Sequence, residues 1–166
     1  MKNNKKKVKV CILMGSKSDM DTVQESVQTL KNFAVGYEIK VLSAHRTPKD
    51  LARYVEKLPG RGVEVVIAAA GMSAALAGTV AAHTILPVIG IPIETKSLQG
   101  LDSLLSTVQM PKGIPVACMA IGRAGAQNAA ILACQILALR DSALKQRLLQ
   151  SRRKTAEAIR SIKLKS

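Results

Sequence analysis

Val8-Lys9-Val10-Cys11-Ile12-Leu13-Met14-Gly15-Ser16-Lys17-Ser18-Asp19 sets the architecture of this chain. Seven residues rich in apolar and β-branched side chains run as a strand. They stop at a glycine, and a short polar loop leads into a segment of helical period. In that segment, Asp19–Ala34, the residues Met20, Val23, Val27, Leu30 and Phe33 fall on one face. A strand with hardly a polar residue in it is one covered on both faces, as in a parallel sheet sandwiched by helices.

The same unit recurs along the sequence. Tyr37–Leu42 predicts a strand and Pro48–Leu58 a helix. Val63–Ala69 predicts a strand, followed by a helix of small residues from about Ser73 to His83. Val88–Ile93 and Pro115–Ala120 are further strands, separated by a helix near Leu101–Val108. A long helix begins near Ala124 and passes Leu139. Beyond Asp141 another helix is expected, with Leu144, Leu148, Thr155, Ile159 and Ile162 at helical spacing and a basic opposite face. Alternating strands and helices imply an α/β fold: a three-layer, doubly wound parallel sheet of about five strands, flavodoxin-like, with a C-terminal helix.

Length and composition agree with this plan. The 166 residues, 48% hydrophobic and 22% charged, suit one domain with an ordinary core. That core is expected to span about residues 8–140, with a basic tail at 1–7 and a basic C-terminal helix at 141–166. No apolar run reaches the ~18 residues of a membrane span, so no membrane partner is expected. Lys5-Lys6-Lys7 before an apolar run outlines a secretion signal. The run is only seven residues long, however, carries Lys9 and ends in Gly15-Ser16 rather than a cleavage segment. The expectation is a cytoplasmic protein. Cys11, Cys118 and Cys134 sit in apolar segments without a CxxC pair, which reads as three buried thiols.

The net charge of +14 is concentrated at the two ends. Residues 1–9 carry five lysines, and residues 140–166 carry nine Lys/Arg against Asp141 and Glu157. Between them, 11 basic residues meet 9 acidic ones. The body is therefore close to neutral. With Phe33, Tyr37 and Tyr54 as its only aromatics, it also lacks stacking platforms for single strands. Solvated basic tails are expected, and nucleic acid is not the expected partner. The Ala/Gly density of residues 68–82 and 117–133 fits either subunits that bury one another or close packing inside the chain.

In a doubly wound sheet, ligands sit beyond the carboxyl ends of the strands. Three polar loops fall on that edge: Gly15-Ser16-Lys17-Ser18-Asp19, Ser43-Ala44-His45-Arg46-Thr47-Pro48 and Ala70-Gly71-Met72-Ser73. In the first, Gly15 permits a tight turn and Ser16 and Ser18 add hydroxyls. Ser18 or Asp19 can cap the next helix, and the loop reads equally as an anion cradle or a capped turn. In the second, Thr47-Pro48-Lys49-Asp50 fits an N-cap with proline at the first helical position. His45 and Arg46 thus stand just before a helix start. Arg46 can fork onto phosphate or carboxylate oxygens, and His45 can accept and return a proton near pH 7. His83 reads as a helix-end residue outside the chemistry. Two histidines without clustered carboxylates give no metal cage.

Together these segments resemble the N5-carboxyaminoimidazole ribonucleotide mutase family of purine biosynthesis, also described as the catalytic subunit of phosphoribosylaminoimidazole carboxylase. The resemblance runs from about Val8 to Leu139. It includes Ile12–Asp19, Ser43–Pro48, Leu86–Gly90, Asp102–Ser106, Val108–Val116 and Ala120–Gly125. It implies a cofactor-free isomerisation that moves a carboxyl group from the exocyclic nitrogen of an imidazole ribonucleotide to ring carbon C4, through 5-aminoimidazole ribonucleotide and carbon dioxide. On this resemblance His45 is the acid/base, Ser16, Asp19 and Arg46 bind substrate, and Ser18 and Ser43 join Arg46 at the 5′-phosphate. Ser16 and Gly71 line the ring and carboxylate end. The resemblance also implies a homo-octamer.

One segment departs from the family. The mutase branch usually reads Gly-Ala-Ala-His-Leu-Pro-Gly after the third strand, where this chain has Met72-Ser73-Ala74-Ala75-Leu76-Ala77-Gly78. Whatever that histidine contributes is not carried over to Ala75. The related branch, which carboxylates 5-aminoimidazole ribonucleotide directly with carbon dioxide, shows lysine after the catalytic histidine. Arg46 and Pro48 match the mutase branch instead. Direct carboxylation, a non-catalytic nucleotide-binding module and nucleic-acid binding through the basic ends are the alternatives.

Overall fold

The computed structural model describes residues 7–163, so most of the basic stretch at 1–7 lies outside the described residues. Five strands form one parallel sheet: β1 (Val10–Met14), β2 (Tyr37–Val41), β3 (Val65–Ala70), β4 (Val88–Pro92) and β5 (Ala117–Cys118). Their order is β2-β1-β3-β4-β5. The helices are α1 (Met20–Asn32), α2 (Pro48–Glu56), α3 (Leu76–Ala82), α4 (Leu101–Val108), α5 (Gly122–Ala138) and α6 (Ser142–Arg160). This is the doubly wound order, with the direction of winding reversing between β1 and β3.

Alternation along each strand divides the core into two halves. Val10, Ile12, Met14, Val65, Ile67, Ala69, Ile89 and Ile91 point to the side covered by α1 and α5. Cys11, Leu13, Val66, Ala68 and Val88 point to the side covered by α2 and α3. Every residue of β1 and β4 is buried, whereas the edge strand β2 is only half-covered. Burying one Leu or Ile of this kind contributes about 1.5–3 kcal/mol.

Several expected boundaries move, each for a local reason. The fifth strand was expected over Pro115–Ala120 but pairs only at Ala117 and Cys118. Pro115 has no N–H to give to a ladder. The third helix starts at Leu76 rather than Ser73, because Met72 takes a left-handed φ of 60° and Ala75 N–H turns back to Ser73 O. The long helix ends at Ala138. Asp141 then opens α6 by accepting a bond of 2.9 Å from Leu144 N–H at Oδ1.

Capping differs from expectation at both anticipated sites. Pro48 is at the start of α2 as read, but Thr47 makes no side-chain cap and its hydroxyl turns back to Ser43. Neither Ser18 nor Asp19 caps α1 through its side chain. Instead Ser16 caps the short 3₁₀ turn Lys17–Asp19 in a reciprocal box with Asp19.

The small residues of α5 are used inside the chain. Ala126, Ala129, Ala130 and Ala133 are all fully buried, and Ser26 on α1 donates to Ala126 O at 2.6 Å. Cys11 and Cys134 are buried, while Cys118 is half-buried, and all three are free thiols. Helix α6 docks through Leu144 and Leu148, but Ile159, and Ile162 just past its end, stand exposed. Among the described residues no helix is long and apolar enough to cross a membrane.

Candidate active site

The carboxyl ends of β1, β2, β3 and β4 open into a cavity of about 780 Å³. Ser16, Ser18, Asp19, Ser43, His45, Arg46 and Gly71 all line it. The residues singled out from three separate loops are therefore brought together, at the crevice where the winding reverses.

The first two loops are tied to each other. Arg46 Nη2 donates to Gly15 O at 2.9 Å, and Arg46 N–H donates to Ser43 Oγ at 3.1 Å. The arginine is otherwise exposed, which leaves further guanidinium N–H groups for an anion. Ser43 N–H is held by Thr47 Oγ1 at 3.0 Å, fixing the turn that carries His45. His45 itself is exposed, two residues ahead of Thr47, the N-cap of α2.

Asp19 is the buried charge of the site. Its Oδ2 accepts from Ser16 N–H at 3.0 Å, and Ser18 Oγ lies 3.4 Å from Oδ1. Burial pushes its carboxyl above the ordinary value of 3.8, while the bonds from Ser16 and Ser18 and the charge of Arg46 pull the other way. Burial is the larger effect.

The third loop supplies Gly71, Met72, Ser73 and Ala75 to the cavity. Ala75 is the N-cap of α3 and carries no side-chain polar group there. A fourth loop, which the three-loop reading missed, adds Ile93, Glu94 and Thr95. Its signal is in the sequence: a strand over Val88–Ile93 places Glu94 and Thr95 on the same edge by the same rule. Thr95 Oγ1 donates to the Asp102 carboxylate, 3.2 Å from each oxygen.

His83 lies elsewhere, as expected. Its Nδ1 is 3.3 Å from Glu56 Oε1, and it lines a cavity of about 860 Å³ at the amino ends of β4 and β5. That larger space contains none of the loop residues above. Among the described residues no three His, Cys, Asp or Glu side chains group as a metal cage.

The sequence profile of the family described as AIR carboxylase matches residues 9–158. The chain belongs to the AIR carboxylase family. Among its AIR carboxylase relatives, the N5-carboxyaminoimidazole ribonucleotide mutase of Vibrio parahaemolyticus is 50% identical over 152 residues, covering 92% of this chain and 94% of its own. The mutase of Saccharolobus solfataricus is 54% identical over 132 residues, covering 80% and 82%. The crystal structure of Treponema denticola PurE superposes with a TM-score of 0.83 at 30% identity, over 90% of this chain and 92% of that one.

Proposed function

We propose that this AIR carboxylase family member is an N5-carboxyaminoimidazole ribonucleotide mutase of purine biosynthesis, an isomerase. The observation that carries this reading is the convergence of His45, Arg46 and Asp19 on one cavity with Gly71, in a chain whose relatives at about half identity bear that name. The remaining guanidinium donors of Arg46, with the hydroxyls of Ser18 and Ser43, hold the 5′-phosphate. The Asp19 carboxylate accepts from ribose hydroxyls. Ser16 and the Gly71 backbone line the imidazole and the migrating carboxylate.

The chemistry then needs one proton carrier and no cofactor. The carbamate N–C bond breaks with its electron pair left on nitrogen, which takes a proton from His45 and gives 5-aminoimidazole ribonucleotide and carbon dioxide. Ring carbon C4 attacks the trapped carbon dioxide. The C4 proton passes to the now neutral His45, which restores aromaticity and returns the enzyme to its starting state. Confinement supplies much of the acceleration, since a captive reactant has an effective concentration far above any in solution.

Offering the protein the N5-carboxylated nucleotide, against 5-aminoimidazole ribonucleotide with bicarbonate, tests the reading. Fast turnover of the first is expected. Fast turnover of the second at low bicarbonate assigns direct carboxylation instead, and binding without turnover of either leaves a nucleotide-binding module. The protein acts in the cytoplasm as one domain and as a homo-oligomer, an octamer by family resemblance. The exposed apolar side chains Ile85, Leu101, Leu105 and Leu139 support burial against further copies, which sedimentation mass measures.

A further inference from the structure

We infer that Thr95 and Asp102 form a positioning latch that fixes the Gly71 wall of the cavity and so keeps carbon dioxide from escaping between its release and its recapture. The inference rests on the mutase reading above and goes beyond it by assigning a task to two residues outside the three loops.

Gly71 has no side chain, so this part of the wall is backbone and its position depends on what presses against it. A Cβ built on Gly71 would stand 3.1 Å from Thr95 Cγ2 and 3.5 Å from Ile93 Cβ. The fourth loop is therefore in direct contact with the third. Ile93 N–H also donates to Ala70 O at 2.9 Å, tying the two loops at their roots.

What holds the fourth loop is α4. Thr95 Oγ1 donates to Asp102, whose Oδ1 also accepts from Ser103 N–H at 2.9 Å. The fully buried Ser103 hydroxyl lies 2.6 Å from Ile93 O and 2.8 Å from Gly100 O, sharing its one proton between carbonyls on either side of Thr95. Between these fastenings Glu94, Lys96, Ser97, Leu98 and Gln99 are exposed. In the span 94–99 the Thr95 hydroxyl is the side-chain tether to α4. Without it, the Thr95 methyl is free to move off Gly71, and the wall relaxes where the one-carbon fragment must wait.

The test uses substrate carrying ¹³C in its carbamate, turned over by the full-length enzyme in unlabelled bicarbonate, with the label counted in the C4 carboxyl of the product. Wild-type enzyme is expected to retain most of the label. Thr95→Val, which removes the hydroxyl at similar volume, and Asp102→Ala, which removes its acceptor, should raise the ratio of lost to retained label roughly tenfold, within the ~10²-fold that a 1 Å misplacement can cost. Asp102→Asn keeps an acceptor and should recover most of the retention, whereas Thr95→Ser keeps the hydroxyl but loses the methyl that presses on Gly71 and should not. A merely structural role lowers the yield of folded enzyme and leaves the retained fraction alone. Folded variants, checked by circular dichroism, that retain label like wild type overturn the latch while the reaction stands. Absence of C4-carboxylated product from wild-type enzyme overturns the reaction and the latch with it.

Discussion

Arg46 Nη2 donates to the carbonyl oxygen of Gly15 at 2.9 Å, joining the loop after β2 to the loop after β1. The same side chain thus shapes the cavity and offers a charge to it. Arg46→Ala should weaken nucleotide binding by roughly 10–100-fold, the worth of about 1.5–3 kcal/mol for a charged hydrogen bond. Titration with the nucleotide product checks the affinity. Arg46→Lys should recover only part of it, because an ammonium cannot bond Gly15 O and fork onto an anion in one plane.

His45→Asn should leave nucleotide binding near wild type and reduce turnover by ~10²–10⁴-fold, the usual contribution of a general acid–base group. Parallel measurements of product affinity and of turnover number separate the two effects. A variant turning over at a near-normal rate removes His45 from the mechanism.

Asp19 links the site to stability. Its folded pKa is raised above the ordinary 3.8, chiefly by burial. A carboxyl shifted upward binds protons more tightly folded than unfolded, so its ionised form subtracts stability at neutral pH. That penalty fades as pH falls through the raised value toward the unfolded one. Asp19→Asn retains an acceptor for Ser16 N–H and is expected to be at least as stable as wild type near pH 7. The gap should narrow with acidification, read as urea midpoints across the pH series. Nucleotide affinity should fall in the same variant.

Gly125 and Gly122, three residues apart at the start of α5, should respond differently to alanine. A Cβ on Gly125 would lie 1.6 Å from Ala120 O, a backbone clash that no rotamer relieves. Gly125→Ala should cost about 3 kcal/mol or more, at or beyond the upper end of ordinary overpacking. Gly122 has open space but a φ of +74°, so Gly122→Ala should cost only ~1 kcal/mol of backbone strain. Urea unfolding midpoints of the two variants give the comparison.

The sheet and its helices were legible because strands such as Ile12–Met14 and Val65–Ala69 are apolar on both faces, a pattern few other folds require. Four loop ends were legible for the same reason, although only three were read as site loops. Details that depend on side chains meeting across the chain were not legible. Nothing in Thr47-Pro48-Lys49-Asp50 says that the Thr47 hydroxyl prefers Ser43 to its own helix. Nor does local sequence announce that Met72 takes a positive φ, which delays α3 and leaves Ala75 at the mouth of the helix. The partnership of Thr95 with Asp102 spans seven residues and a turn, and it emerges only once α4 folds back.

The parallel winding makes each wall of the crevice the tip of a separate strand-loop-helix module. Residues 15–19, 43–47, 71–75 and 94–95 are each backed by their own strand. A change confined to one tip can therefore leave the other three in shape. The catalytic repertoire of such a chain should be tunable by grafting single tips from relatives onto an unchanged chassis.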